Sequence, residues 1–209
     1  PSSVLKENIT IQDGVTRNAS VTLTGGTIVK QSLSTTVEIL LDGVDLDSIK
    51  QKSICTTRIN CFISYPEGTL KDAGGLSLPA QDDGNAVNVT ILTADKLAPS
   101  LKSENGFKGF NAQKGSMTLE FTESVRVTGS GSVNVSAITL ESFFLLGTPY
   151  SLTGGQVISL SDGPELEILL SKTDLDAIKK DRNLCSRRGD CYVRFSSSLV
   201  NDIAGNPVQ

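Results

Sequence analysis

The chain of 209 residues contains no histidine and no tryptophan, and aromatic residues make up only 5% of it. Histidine is the commonest general base and the commonest protein ligand of metals. Its absence excludes serine and cysteine triads, histidine-ligated zinc and HExxH peptidase chemistry. A glycosidase built on two carboxylates needs no histidine, but no aromatic-rich segment accompanies the acids. We therefore expect no catalytic residues and no enzyme activity.

The sequence also lacks a basic excess and a long apolar run. It has 19 lysines and arginines against 23 aspartates and glutamates, a formal net charge of -4. Without a basic face to neutralise phosphates, we expect no nucleic-acid partner. No apolar run approaches the roughly 20 residues that span a bilayer, so we expect no membrane span.

What the sequence does contain is an internal repeat. Residues 21–26, VTLTGG, return as YSLTGG at 150–155, and residues 37–41, VEILL, return as LEILL at 166–170. Both pairs are 129 residues apart, and later matches are 130 apart. So many identities in one register indicate a duplicated structural unit, which must be recognised before the fold is interpreted.

Each copy is rich in short segments with strand patterning, separated by glycine, asparagine, aspartate, serine and proline. The clearest cover residues 117–121, 137–141, 156–160 and 191–195. Alternating apolar and polar positions predict strands with one buried face. Short strands at this spacing favour an antiparallel sandwich.

One short helix interrupts each copy, at residues 45–50 and 173–180. Thr173 is able to cap the second helix, and its terminal lysines suit the helix dipole. The paired acids of each helix, Asp45 with Asp47 and Asp174 with Asp176, lie two residues apart and so do not share a face. Capping and the dipole account for them better than acid–base catalysis does.

Two further segments carry a resemblance. Residues 121–125, FTESV, and 201–207, NDIAGNP, resemble the FSEPV-type strand and D-x-A-G-N turn of Ig-like repeats in bacterial S-layer proteins and adhesins. Similar repeats occur in tandem in large eukaryotic cell-surface and filament glycoproteins such as mastigonemes. The resemblance implies an all-β fold of tandem Ig-like β-sandwich domains, each with one short helix. We expect domain boundaries at 1–97, with N-terminal strands missing, and 98–209, with the C-terminal strand missing.

All four cysteines occur as Cys-x5-Cys, one pair in each copy. Because the pair recurs as a unit, we expect Cys55 to bond Cys61 and Cys185 to bond Cys191, one of three possible connectivities. The alternative is a zinc ion held by all four thiolates. Disulfides imply an oxidising compartment.

Four N-x-S/T sequons are predicted glycosylation sites: Asn8, Asn18, Asn88 and Asn134. Together with paired cysteines they favour an extracellular protein, secreted or at the cell surface. The alternative is that some of them are unmodified strand or turn residues.

The second cysteine loop contains Arg188, Gly189 and Asp190. This tripeptide resembles the integrin-binding sequence of disintegrin-like loops, where a small covalent ring lowers the ordering cost of binding. The first copy has Arg58, Ile59 and Asn60 in its place. A tight turn also favours glycine and aspartate for backbone reasons alone, so a receptor site and an ordinary turn remain open.

Calcium is the only cofactor that the sequence leaves open, and we assign no specific metal site. Asp82, Asp83, Asn85 and the region near Asp95 offer oxygen ligands. EF-hand spacing is absent.

Two function classes follow. The first is an extracellular structural or adhesive protein that forms a spacer, stalk or filament, with neighbouring repeats or identical chains joined head to tail as partners. The second is a recognition module that binds a cell-surface receptor through Arg188 to Asp190, or a glycan through its loops.

Overall fold

The computed structural model describes residues 4–30, 36–72, 74–129, 132–142 and 148–209. The chain divides into two compact units, Pro1–Asp95 (unit 1) and Lys96–Gln209 (unit 2). This division falls two residues before the boundary expected from the repeat. Both units are built mainly of antiparallel strands, so the fold is mostly β, as the strand patterning predicts.

Unit 1 contains one four-stranded and one two-stranded sheet in its described residues. The four-stranded sheet has the order β2-β1-β5-β6, and β3 pairs with β4 in the other. The strands are β1 (Thr10–Gln12), β2 (Ser20–Thr22), β3 (Thr27–Lys30), β4 (Glu38–Leu40), β5 (Phe62–Ser64) and β6 (Val87–Asn88).

Unit 2 contains one four-stranded and one three-stranded sheet in its described residues. Their orders are β11-β12-β8-β7 and β10-β9-β13. The strands are β7 (Phe107–Asn111), β8 (Ser116–Val125), β9 (Ile138–Glu141), β10 (Tyr150–Ser151), β11 (Gly155–Val157), β12 (Gly163–Leu170) and β13 (Tyr192–Phe195). The FTESV segment thus ends the second strand of the unit and does not open it.

Among the described residues, each unit has one α-helix between its strands, α1 (Gly43–Gln51) and α2 (Lys172–Lys180). Short 3-10 helices cover Lys6–Asn8, Arg58–Asn60, Val135–Ala137 and Arg188–Asp190. The prediction that Thr173 caps the second helix is wrong. Ser171 is the N-cap, because its side chain accepts a hydrogen bond from the Asp174 backbone N–H, and Asp42 does the same for Asp45.

The duplicated sequence segments form strand pairs with the same register in both units. In unit 1, Thr27 is opposite Leu40 and Ile28 is opposite Ile39. In unit 2, the residues 129 positions later form the same pairs, Gln156 with Leu169 and Val157 with Ile168. A shift by one residue would turn the apolar side chains to the other face, so both copies turn the same positions to the same face of the sheet.

The D-x-A-G-N segment of unit 2 forms a turn closed by its aspartate, and the equivalent aspartate of unit 1 accepts the matching backbone bond. Asp202 is fully buried and accepts hydrogen bonds from the backbone and side-chain nitrogens of Asn206, at 2.7 and 2.8 Å. Gly205 has a φ of +99°, a conformation that favours glycine. In unit 1, Asp72 accepts the same backbone bond from Leu76 at 2.8 Å.

The two units differ in the size of their apolar cores. Strands of both sheets of unit 2 contribute to one continuous cluster that includes Met117, Leu140 and Ile168. In the part of unit 1 that the structure describes, there are two small clusters of three buried residues each, one around Leu23 and one around Ile49.

The core difference predicts unequal effects of one matched substitution. Ile168→Ala should lower the free energy of unfolding of unit 2 by about 4 kcal/mol, because Ile168 is fully buried. Ile39→Ala, at the equivalent position of unit 1, should cost about 2 kcal/mol, because Ile39 is only half-buried. Urea unfolding followed by amide signals of each unit measures both values, and equal losses would contradict the asymmetry.

Candidate functional site

A buried carboxylate lies in the first turn of each α-helix. Asp45 and Asp174 are 1% and 0% exposed, the most deeply buried acids of the two helices. Asp176 is exposed and pairs with Lys172 one turn away. The first acid of each pair is therefore buried, whereas the second is half-buried in unit 1 and exposed in unit 2.

Each buried carboxylate binds the Thr-Gly-Gly loop of its own unit. In unit 1, Asp45 accepts hydrogen bonds from the Thr24 backbone N–H at 2.9 Å, the Thr24 hydroxyl at 2.8 Å and the Gly25 N–H at 3.2 Å. This set fills most of the acceptor capacity of one carboxylate. The aspartate therefore anchors the loop to the helix start.

Unit 2 repeats the arrangement with one addition. Asp174 accepts bonds from the Thr153 N–H and hydroxyl, at 3.1 and 2.8 Å, and from the Gly154 N–H at 3.3 Å. The Tyr150 hydroxyl also donates to it, at 2.9 Å, whereas unit 1 has Val21 at that position. The bonding of the aspartate carboxylate to the Thr-Gly-Gly loop is therefore a structural element that both copies of the repeat preserve.

Burial and hydrogen bonding act on these acids in opposite directions. Burial raises the pKa of Asp174, but the hydrogen bonds from Thr153, Ser171 and Tyr150 outweigh it, and the pKa lies below its ordinary value. Burial also raises the pKa of Asp45, but the hydrogen bonds from Thr24 and Gly25 outweigh it, and this pKa too lies below its ordinary value. Burial and the bond to Asp174 raise the pKa of Tyr150. Both aspartates are therefore held as anions that accept hydrogen bonds.

Sequence reasoning assigned these acids to helix capping and to the helix dipole. Asp45 and Asp174 do lie in the first turn of their helices, but the capping part of the assignment is wrong for both. Asp42 and Ser171 provide the caps, which leaves Asp45 and Asp174 to bind the loop. A signal was present in the sequence, since the Thr-Gly-Gly loop and the acid both recur 129 residues later. Sequence alone does not show that the two segments touch.

The cysteines form two disulfides, Cys55–Cys61 and Cys185–Cys191. This is the pairing that the repeat favours, and it leaves no thiolates among these residues for a zinc site. Because disulfides persist in oxidising compartments, their presence indicates a location outside the cytoplasm.

Each disulfide loop is also closed by a hydrogen bond from a backbone N–H to a side chain of the same loop. Asn60 accepts a hydrogen bond from the Thr57 N–H at 2.8 Å, and Asp190 accepts the equivalent bond from the Arg187 N–H at 2.8 Å. The Ser186 hydroxyl donates to the other Asp190 oxygen at 2.7 Å. Asn60 and Asp190 are therefore equivalent loop-closing residues.

The residues predicted to bind a receptor are only partly presented to solvent. Gly189 is exposed, but Asp190 is 8% exposed because its carboxylate turns into the loop. Burial raises the pKa of Asp190, and the bonds from Ser186 and Arg187 more than offset this, so the pKa is lowered. The Arg188 side chain lies outside the described residues. A receptor that bound the carboxylate would have to displace these partners.

All four sequon asparagines are exposed: Asn8, Asn18, Asn88 and Asn134. Their side-chain nitrogens, which would carry the glycan, differ in their contacts. The Asn88 nitrogen donates to the carbonyls of Arg58 and Cys61, at 2.5 and 3.2 Å. The Asn134 nitrogen is 3.4 Å from the Ser198 hydroxyl.

Two of the acids that could bind calcium in unit 1, Asp83 and Asp95, already have cationic or N–H partners. Asp83 accepts hydrogen bonds from the Arg17 backbone and the Gln12 amide, at 2.9 and 3.2 Å. Asp95 forms an ion pair with Lys50 at 2.5 Å. Asp82 and Asn85 close a turn through their backbones. Calcium binding at this loop stays a prediction.

No protein-family model matches the chain, and no curated protein or solved structure matches it either. Within the described residues, neither helix has the length and apolar character required to cross a membrane.

The pKa directions predict how stability depends on pH. Because the folded pKa of Asp174 is lowered, its contribution is present above the unfolded pKa of about 3.9 and is lost as pH falls through the folded value. Asp174→Asn should therefore lower the free energy of unfolding by about 3 kcal/mol at pH 7 and by much less at pH 2. Urea unfolding at both pH values tests this.

Asp176→Asn is the matched control, since Asp176 lies on the same helix but is exposed. It should change stability by less than about 0.5 kcal/mol. Equal losses for the two variants, or a loss for Asp174→Asn that persists unchanged at pH 2, would contradict the anchoring role.

Proposed function

We propose that this chain is an extracellular structural protein in which tandem Ig-like β-sandwich domains form a spacer, stalk or filament building block. Its partners are neighbouring repeats or identical chains joined head to tail. One observation carries the proposal: the buried acid–loop contact, the helix and the disulfide loop all occur twice in one register. A chain that repeats its scaffold rather than one site is typical of array proteins.

The layering of unit 2 supports the sandwich part of the proposal. Its core cluster combines Met117 and Ile168 from the four-stranded sheet with Ile138 and Leu140 from the three-stranded sheet. Apolar faces of two antiparallel sheets meet in this way in Ig-like domains. Unit 1 has the same strand register in its smaller β3–β4 sheet.

The covalent chemistry supports the extracellular part. Two disulfides close loops at equivalent positions, 130 residues apart. The exposure of all four sequons makes them accessible for N-glycosylation in the secretory pathway.

Antibodies against the chain test the proposal on the cells from which it comes. We expect them to label intact, unpermeabilised cells or the material around them, in fibrous or layered structures seen by immuno-electron microscopy. Labelling that requires permeabilisation would contradict the proposal.

Glycan mapping provides a second prediction. At least two of the four sequons should carry N-glycans when the chain is secreted from eukaryotic cells. Asn88 should have the lowest occupancy, because its side-chain nitrogen would have to leave the Arg58 and Cys61 carbonyls. Mass spectrometry before and after enzymatic deglycosylation gives the occupancy of each site. An unchanged mass would count against passage through the secretory pathway.

A recognition module is the second candidate, favoured by the exposed Gly189 in a disulfide-closed loop. Asp190→Asn separates it from a spacer, since Asn60 closes the equivalent loop of unit 1 and the fold should tolerate the change. For a spacer, we expect integrin-bearing cells to adhere equally to the wild type, Asp190→Asn and Asp190→Glu. Loss of adhesion in both variants would favour the recognition module.

A further inference from the structure

A cavity of about 300 Å³ lies in unit 2, between the C-terminal end of α2 and the segment that leads into β10. We call it the α2–β10 cavity. Four apolar or aromatic residues and two charged residues line most of it: Pro149, Tyr150, Ala177, Leu184, Lys180 and Asp181. The lining therefore suits a small ligand that has an apolar stem and one polar or charged group.

In unit 1, a lysine side chain connects the equivalent helix end and strand start. Residues 129 positions apart are equivalent here, so Asp181 corresponds to Lys52 and Pro149 to Ser20. Lys52 is the C-cap of α1, and Ser20 is the first residue of β2. The Lys52 ammonium donates a hydrogen bond to the Ser20 carbonyl at 2.8 Å. Unit 1 thus shows an alkyl ammonium group bound between these two elements.

In unit 2 the lysine is replaced by an acid. Asp181 is the C-cap of α2 and is half-buried. One of its oxygens accepts a hydrogen bond from the Thr148 N–H at 3.0 Å, and the other accepts one from the Asn183 N–H at 2.9 Å. Each carboxylate oxygen has capacity for a further bond. The cavity therefore has a fixed anion where unit 1 has a cation of its own.

Two further features of the cavity favour a positive charge. It lies at the C-terminal end of α2, where the helix dipole places a partial negative charge. Tyr150 lines it, and the face of a tyrosine ring attracts ammonium groups. The hydroxyl of that ring donates to the buried Asp174 carboxylate at 2.9 Å, which places a second anion close to the cavity.

Lys180 is the lining residue that opposes a cation. Its side chain is exposed and has no ion-pair partner among the described residues, so its ammonium can extend into water while its stem lines the cavity. Unit 1 has the neutral residue Gln51 at this position. The charge of Lys180 should therefore weaken the binding of a cation and strengthen the binding of an anion.

We propose that the α2–β10 cavity binds a primary alkyl ammonium group. Asp181 is its counter-ion, and Tyr150, Ala177 and Leu184 surround its alkyl stem. A lysine side chain of a neighbouring polypeptide and a free alkylamine both carry this group. The inference goes beyond the proposed function and does not rest on it, because a spacer needs no ligand at this position.

Amide NMR spectra of the full chain, titrated with n-butylamine at pH 7, test the inference. We expect saturable shifts at residues 150 and 177–184, with a Kd of about 1 to 10 mM, because so small a ligand binds weakly. Butyrate has the same apolar stem and the opposite charge, and it should cause no saturable shift.

A capped lysine, Nα-acetyl-lysine methylamide, distinguishes the two sources of the group. Binding at least about tenfold tighter than that of n-butylamine would assign the site to a lysine side chain of a polypeptide. Equal or weaker binding would assign it to a free alkylamine.

Three variants locate the site and determine the sign of its ligand. Asp181→Lys restores the residue of unit 1 and should abolish saturable binding, because its own ammonium fills the position. Lys180→Gln also restores the residue of unit 1 and should tighten the binding of n-butylamine about two- to fivefold, because it removes a like charge. Asp176→Asn, at an exposed acid of the same helix outside the lining, should not change binding. Circular dichroism checks that all three fold.

Four results would overturn the inference. They are the absence of saturable shifts with both amines, butyrate binding as tightly as n-butylamine, binding that persists in Asp181→Lys, and weaker binding of n-butylamine in Lys180→Gln.

Discussion

A carboxylate buried at the start of a helix is the interaction on which each unit depends. Asp45 and Asp174 bind the loops that contain Thr24 and Thr153, at the point where the chain leaves one sheet and enters the other. Leaving any of the loop N–H groups buried and unpaired would cost about 1 to 3 kcal/mol. One anion therefore fixes the crossing between sheets and the start of the helix together.

The disulfide loop follows the C-terminal end of the helix and completes this arrangement. Each helix is followed within a few residues by a cysteine with positive φ, Cys55 at 56° and Cys185 at 52°. The ring and the side chain of Asn60 or Asp190 then direct the chain into the next strand. Unit 2 adds a large core to this framework, whereas unit 1 keeps the framework with much less apolar burial.

The sequence predicted the features that repeat or alternate. The 129-residue offset gave the duplication, the matched cysteine spacing favoured the disulfides, and the alternation of residues 117–121 marked part of β8. It missed contacts that depend on distant segments meeting. Ser171 looks like any polar residue before a helix, and the burial of Asp174 follows only when the loop at Thr153 folds onto it. The sequence likewise did not predict that the Asp190 carboxylate turns into the loop, because the tripeptide alone suggests an acid that is exposed to a receptor.

The coupling between Thr153 and Asp174 tests the central claim most directly. A double-mutant cycle with Thr153→Val and Asp174→Asn measures whether the two residues act as one element, using urea unfolding at pH 7. The account predicts a coupling free energy of about 1 to 2 kcal/mol, and a similar value for Thr24 with Asp45. Additive losses, with a coupling near zero in both units, would contradict the view that the buried carboxylate holds the loop.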